Sequence, residues 1–374
     1  MREVAHTVPA LFSEDDGIIG GAERYVLELA RHMADRVPTS LVTFGRRDRE
    51  ERLGALRIRV IGRPWFVRGQ RSNPVAWRLV GEIRRAAIVH CHQQHIVASS
   101  MSGAVGQLLG RRMFCTELGG GGWDVSAYVS TDRLFDAHLH ISEYSRRIAG
   151  HEGRPWAHVI WGGVDTAKFS PSHVNSFSSG VLFVGRLLPH KGVDDLIRAL
   201  PADLPATIVG PVCSERYLAD LRALAVGKSV TFRHDCDDDD LVALYRGASC
   251  IVLPSVYDNM YGGHTDVPEL LGQSLLEGMA CGVPAVTTAV ASLPEIVEHN
   301  VSGFVVPPND PAALTAALRA CTDKVRSHEM GRAARTRVEA RFTWTAVVDR
   351  CLEHYGRYPG PTSNHTPSQH LRHP

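Results

Sequence analysis

The chain has 374 residues, more than one small domain needs and enough for two of ordinary size. With 22% charged and 44% hydrophobic residues it has a globular rather than a disordered composition, and a formal charge of +1 excludes a globally basic nucleic-acid binder. Eight cysteines lie scattered without CxxC or zinc-type spacing, so they read as buried thiols of a reducing compartment.

The N-terminal MREVAHTVPALF lacks a signal-peptide core, and no window approaches the roughly 20 apolar residues of a membrane span. A cytoplasmic location is the expectation.

Short apolar runs alternate with longer helical patterns from end to end, the mark of parallel sheets with crossover helices. The first half predicts strands at Val4 to Pro9, Thr39 to Phe44, Ala87 to Cys91, Arg112 to Thr116, Ala137 to Ile141 and His158 to Trp161. The second half predicts them at Gly180 to Val184, Ala206 to Val209, Ser229 to Phe232, Cys250 to Leu253, Pro284 to Thr287 and Gly303 to Val306. Between the halves, the polar, Ser-rich DTAKFSPSHVNSFSSG reads as a linker near residues 165–180. The expected division is an N-terminal Rossmann-like domain over 1–170 and a C-terminal one over 171–342. A last helix, 343–358, packs back on the first domain, and 359–374 form a disordered tail. Brändén's rule would place the ligand crevice outside the carboxyl ends of the strands, in a gap the two domains share.

Three constellations carry chemistry. Near the N-terminus, Gly20 and Gly21 separate a strand from an amphipathic helix and leave bare backbone amides suited to an anion. The spacing is not the GxGxxG of a dinucleotide fold, which argues against an NAD enzyme. The strand GVLFVG runs into Arg186 and Lys191, delivering two cations suited to a phosphate at a strand's carboxyl end in a chain with only four lysines.

In DVPELLGQSLLEGMACGVP, Glu269 and Glu277 stand eight positions apart. On a helix this is about 12 Å of rise. That is too long for the about 5 to 9.5 Å between the paired carboxylates of a glycosidase, and it suits opposite ends of an extended ligand such as a nucleotide sugar. The run Asp237 to Asp240 reads as a helix cap rather than a metal site.

Taken in order, GGAERYVLELARHM, AAIVHCH, HLHISEYSRR, VIWGGVDTAKFSP, VGRLLPHKGVDDLIRAL, DDDDLVALYRGASCIVLPS, ELLGQSLLEGMACGVP and LPEIVEHNVSGFVVPPNDPAAL resemble the family 4 retaining glycosyltransferases of the GT-B fold, from about Val4 to Tyr355. The resemblance implies an α/β architecture of two Rossmann-like parallel-sheet domains facing a central cleft. It also implies a metal-independent hexosyltransferase moving a sugar from an NDP-sugar, UDP or GDP, to a small-molecule, lipid or saccharide acceptor. No cofactor is implied beyond the donor substrate and no essential metal. With no obvious covalent nucleophile, front-face substitution is the expected route.

By position, the resemblance gives Arg186 and Lys191 to the donor diphosphate, Glu269 to the transferred sugar and Glu277 to the ribose. The amides of Leu270, Leu271 and Gly272 would meet a phosphate, Gly20 and Gly21 would approach it from the first domain, and the backbone at Arg233 and His234 would reach the base. Arg186, Lys191 and Glu269 form the expected catalytic set.

The family pattern Thr, any residue, His, Gly is broken here, because Thr116, Glu117 and Gly119 flank Leu118. His92, Glu117, Leu118, Gly120, Trp123 and Asp124 therefore make up the expected sugar or acceptor pocket, with Glu117, Trp123 or Asp124 as stand-ins for the histidine. The loop YDNMYGGHTDVP either shapes the sugar pocket through Asp258, His264 or Asp266 or is a surface excursion. The stretch GRPWFVRGQRSNPVAWR interleaves aromatics with arginines and is open to three readings: anionic lipid contact, acceptor pocket, or ordinary loop and helix. Membrane contact is not the favoured one, nucleic acid is excluded, and a monomer or homodimer is expected. Two rivals stand beside a transferase: a nucleotide-sugar epimerase on the same fold, and a silent donor-binding subunit of a transferase complex.

Overall fold

A computed structural model describes residues 3–10, 20–119, 122–172 and 180–358. The expected disordered tail, 359–374, lies outside the described residues. Contacts divide the chain into two compact units: Met1–His140 with Gly153–His158 and Val348–Pro374, and Ile141–Glu152 with Val159–Val347. In chain order the first stretch contains β1 (Val4–Thr7), α1 (Gly21–Ala34), β2 (Thr39–Gly45), β3 (Arg49–Leu53), β4 (Leu56–Gly62), β5 (Trp65–Phe66), β6 (Pro74–Val75), α2 (Leu79–Arg85), β7 (Ile88–His92), α3 (Val97–Leu108), β8 (Arg112–Thr116), β9 (Ala137–His140), α4 (Glu143–Ile148) and β10 (Ala157–Val159).

The first unit's sheet runs β10-β9-β8-β7-β1-β2-β4-β3. Its central strands are short apolar runs buried on both faces, as a parallel sheet covered by helices requires. One face packs Val42, Ile61, Val89 and Met113 against Leu79 and Ile83 of α2 and Ala98 of α3. Two strands absent from the sequence expectation extend this sheet. β4 lies parallel to β2, and β3 turns back antiparallel at its edge through Gly54, whose φ is +59°. Their REERL and LRIRVIG sequences escape a search for apolar runs because an edge strand is safest when charged. Arg57 reaches Glu50 and Glu82, each at 2.9 Å, and Arg59 reaches Asp48 at 2.9 Å. The aromatic and arginine-rich stretch forms the β5–β6 hairpin and a single 3-10 turn, not a continuous helix.

The second stretch holds β11 (Gly180–Val184), α5 (Val193–Ala199), β12 (Ala206–Val209), α6 (Glu215–Leu224), β13 (Val230–Arg233), α7 (Asp238–Gly247), β14 (Ala248–Leu253), α8 (Gln273–Ala280), β15 (Ala285–Thr288), α9 (Leu293–Ile296), β16 (Gly303–Val306), α10 (Pro311–Ala320), α11 (Lys324–Arg341) and α12 (Trp344–Arg357). Its six parallel strands run β13-β12-β11-β14-β15-β16, the doubly wound order, with the chain reversing direction between β11 and β14.

Asp237 caps α7 by accepting from the Asp240 amide at 2.8 Å, so the acidic run is a helix start as expected. From Val348 onward α12 belongs to the first unit, where Tyr355 is fully buried with its ring 4.6 Å from that of Phe114. All eight cysteines are free thiols; six are buried, but Cys213 is exposed and Cys236 half-buried, against the expectation that all would be interior. Among the described residues no helix is long and apolar enough to cross a membrane.

Candidate functional site

In a doubly wound sheet the carboxyl ends of the two strands at the reversal splay apart and leave a crevice. The residues that follow those ends here are Arg186 after β11 and Ser255 after β14. Arg186 is exposed, and its guanidinium has no partner among the described residues. Lys191 ends a 3-10 turn (Pro189–Lys191) that Gly192 closes at φ +67°. A side chain at Gly192 would put its Cβ 1.9 Å from the Pro254 carbonyl oxygen, so glycine is required both for the left-handed turn and for the close passage of β14.

Lys191 Nζ donates to Glu269 Oε1, and Ser255 Oγ donates to the same oxygen at 2.9 Å. Glu269 is 8% exposed, so this ion pair sits largely out of water, where hydrogen bonds strengthen it. His190, beside it, is held down to about 4 by burial and by the charges of Lys191 and Arg186, with Glu269 opposing; its ring is neutral at pH 7 and adds no charge to the group.

Glu277 is also 8% exposed and accepts from the buried Tyr245 hydroxyl at 2.8 Å. The two glutamates are not on one helix as the spacing suggested. α8 begins only at Gln273, because Gly272 stands at φ +81° and breaks the backbone there, so the helical rise of eight residues does not separate them. Glu269, Leu270 and Leu271 instead form an irregular approach to the helix. No hydrogen bond from the amides of Leu270, Leu271 or Gly272 is present among the described residues. The approach is pinned through its carbonyls: Ser142 Oγ donates to Leu270 O at 2.8 Å, and Ser292 Oγ lies 3.4 Å from Glu269 O.

The same fastening explains two motifs without obvious chemistry. Ser142 caps α4 in a reciprocal capping box with Ser145, and Glu295 accepts from the α4 amides of Glu143 at 2.8 Å and Tyr144 at 2.6 Å. The ISEYS and LPE segments thus brace the ELLG segment.

Glycines, Gly185 and Gly210, follow the carboxyl ends of β11 and β12. Gly210 has φ +144°, and a Cβ there would fall 2.0 Å from Gly185 O. Gly210 N donates to Arg233 O at 2.9 Å, and His234 Nδ1 meets Gly210 O at 2.9 Å. The Arg233 side chain turns away to Asp240 at 2.7 Å. Gly185 and Gly210 thus form a strip with no side chain of its own next to Arg186, with the His234 ring at its Gly210 end. The YDNMYGGHTDVP loop is a tight, mostly exposed hairpin, closed by Thr265 N to Tyr257 O at 2.8 Å. His264 donates from Nδ1 to Asp258 at 2.7 Å, and that bond raises its pKa. Tyr261 at the tip bonds Asp220 of α6 at 2.5 Å.

In the first unit, Gly20 precedes α1 with extended backbone, and Gly21 is the first residue of the helix. Leu118 is half-buried. Of its candidate stand-ins, Glu117 spends both oxygens on backbone, accepting from Gln94 N at 2.8 Å and Gly119 N at 2.7 Å. Asp124 is buried, accepting from Ser100 Oγ and, at 2.8 Å, from Ser126 N. Trp123 lies under the Arg68 guanidinium at 3.6 Å, and its carbonyl takes Asn73 Nδ2 at 2.5 Å, which ties this loop to the β5–β6 hairpin. Gly120 lies outside the described residues.

His92 is 1% exposed and faces the interior rather than an open pocket. Its Nε2 meets His6 Nδ1 at 2.8 Å, and His6 Nε2 lies 3.2 Å from Met33 Sδ. His90 bonds the Tyr355 hydroxyl at 2.7 Å and Thr116 Oγ1 at 2.8 Å. One ring nitrogen from each of the three lies within 4.8 Å of the others, but protein partners already hold both nitrogens of His6 and of His90, so the set reads as a hydrogen-bonded core. Burial holds all three rings neutral, His6 with a pKa near 3.

Ser255, Tyr245, His190, Gly192 and Gly210 are site residues that motif reading missed. The sequence signal for Ser255 and Gly192 is their position directly after a strand or turn; Tyr245 carries none, since only folding brings α7 to α8.

Fold and site define a two-unit α/β protein of the GT-B class. Solved structures of that class superpose over nearly the whole chain. Anabaena HepE in complex with UDP and glucose gives a TM-score of 0.69 at 18% identity, covering 96% of this chain and 100% of that one. Sucrose-phosphate synthase from Thermosynechococcus elongatus gives 0.69 at 19%, covering 96% and 99%.

The model for Glycosyltransferase Family 4 matches residues 19–168, and the one for Glycosyl transferases group 1 matches 168–337. Glycogen synthase of Mycobacterium tuberculosis is 32% identical over 207 residues, 53% of this chain and 47% of the relative. A GDP-mannose-dependent monoacylated phosphatidylinositol monomannoside mannosyltransferase of Corynebacterium glutamicum is 32% identical over 238 residues, 58% and 60%. The aligned region thus spans about half the length of such curated relatives. The chain belongs to the family 4 glycosyltransferases of the GT-B fold.

Proposed function

We propose that the protein is a retaining glycosyltransferase that moves a sugar from a UDP- or GDP-sugar to a hydroxyl-bearing acceptor. The observation that carries this reading is the set at the switch point: Lys191 locked to a buried Glu269, with Arg186 and the amides at the approach to α8 unengaged among the described residues. A cation that is already positioned costs little reorganisation when negative charge grows on a leaving diphosphate. In this reading Arg186 forks onto phosphate oxygens, Lys191 neutralises the departing charge, and Glu269, oriented by Lys191 and Ser255, accepts from sugar hydroxyls. Glu277, fixed by Tyr245, accepts from the ribose, and the bare strip at Gly185 and Gly210 admits the base. A donor phosphate oxygen takes the acceptor's proton in a front-face substitution, so no protein base and no metal is assigned to the step. Relatives named for UDP, glucose and GDP-mannose support this donor class.

A nucleotide panel tests the donor half of the proposal. One of UDP or GDP should raise the melting temperature in the absence of added metal, in proportion to affinity, and Lys191→Ala should abolish the shift. Equal silence of every nucleoside diphosphate would overturn the assignment, and donor turnover without acceptor would favour an epimerase.

A further inference from the structure

The second unit holds a pocket of about 330 Å³ that shares no residue with the set at the switch point. It lies where β14 and β15 begin, at Ala248 and Pro284, whereas Arg186 and Ser255 follow the ends of β11 and β14. The strands are parallel, so pocket and switch-point residues lie at opposite edges of the sheet, about a strand length or roughly 20 Å apart. α8 runs between them, with Glu269 before its start and Cys281 and Gly282 after its end.

The lining is strongly basic. His328, Arg332 and Arg335 form one stripe of α11, at the spacing of successive turns, and Arg246 of α7 joins them. No carboxylate lies among the lining residues. Arg246 holds the Ser170 carbonyl at 2.7 Å and its hydroxyl at 3.0 Å. Arg335 spends its two Nη atoms on the carbonyls of Phe169, Ala280 and Thr166 and offers Nε to Glu339. Arg332 is exposed, with no partner for its guanidinium among the described residues. Three guanidinium groups therefore line the pocket with Glu339 as their one carboxylate partner among the described residues, and two are held by backbone carbonyls. Guanidinium forks match phosphate oxygens, and prefixed ones lose little entropy on binding.

We propose that this pocket is a second anion site that takes a small phosphate ester, with Arg332 as the free fork and Arg246 and Arg335 as fixed charges. Its volume is at the low end for ligand pockets and suits a phosphorylated metabolite of a few carbons rather than a nucleotide sugar.

Hydrogen exchange read by mass spectrometry, with glycerol 3-phosphate as probe and glycerol as neutral control, tests the site by location. Glycerol 3-phosphate should protect segments 281–284 and 328–336, and glycerol should not. Arg332→Glu should weaken the protection about tenfold or more, because it removes a charge-assisted hydrogen bond and adds repulsion. The variant breaks no bond seen in the fold, and Arg332→Ala, with a smaller loss, guards against an effect of the new charge alone. Lys191→Ala should leave the protection intact. Protection confined to 186–192 and 269–277, protection that survives both Arg332 variants, or no protection at all would overturn the proposal.

Discussion

The buried histidine trio makes the first unit acid-sensitive in a way that can be worked out from the structure. His6, His90 and His92 lie at 0%, 0% and 1% exposure, with no carboxylate among the hydrogen-bond partners described. Burial lowers all three, His6 from 6.5 to about 3. A group whose folded pKa lies below its unfolded value binds its proton more readily in the unfolded chain. Stability is therefore full above the unfolded pKa near 6.5 and falls as pH drops below it. For one such histidine the loss at pH 5.5 is about 1.4 kcal/mol, and for three about 4 kcal/mol, a large share of a typical domain's stability.

Native-state hydrogen exchange at β1 and β7, corrected for the intrinsic rate, should show opening free energy flat from pH 8 to 7 and falling by about 4 kcal/mol at pH 5.5. His92→Leu should lower stability at pH 8 by about 1 to 3 kcal/mol by orphaning His6 Nδ1, and flatten the pH dependence by about a third. A wild-type profile flat to pH 5.5, or a variant profile parallel to wild type, would show that the trio does not set the acid sensitivity.

Two further changes probe the donor side. Gly192→Ala forces a Cβ against Pro254 O in a left-handed turn, so it should cost about 2 kcal/mol or more; a melting temperature equal to wild type would contradict the close packing. Tyr245→Phe removes the hydroxyl that donates to Glu277 at 2.8 Å and so takes one hydrogen bond from a largely buried carboxylate. It should weaken nucleoside diphosphate binding by roughly threefold to tenfold in calorimetry, and unchanged affinity would detach Glu277 from the ligand.

The parallel strands were legible because burial on both faces writes an uninterrupted apolar run, and Gly180 to Val184, Ala206 to Val209 and Gly303 to Val306 coincide with observed strands to the residue. The β3–β4 edge was not, since its stability comes from ion pairs such as Arg57 with Glu50 that no periodicity signals. At the site, Lys191 and Glu269 stand 78 positions apart, yet motif reading placed both at the donor, and the fold joins them. The position of Glu269 off the helix was hidden, because a glycine within an apolar helical pattern does not announce a left-handed break. Glu117 and Asp124 look reactive in sequence as acidic residues of a glycine-rich loop; in the fold Glu117 accepts from two backbone amides, and Asp124 from the hydroxyls of Ser100 and Ser126 and the Ser126 amide.

In the proposed function Arg186, Lys191 and Glu269 form the donor grip of a retaining transferase. The most direct measurement is NMR of the transfer product formed from the donor nucleotide sugar that the panel selects. The product should keep the anomeric configuration of the donor, Lys191→Ala and Glu269→Gln should each lower kcat by at least about a hundredfold, the scale of losing one electrostatic stabiliser, and both variants should remain folded. An inverted product, or full transfer by both variants, would contradict the proposed function.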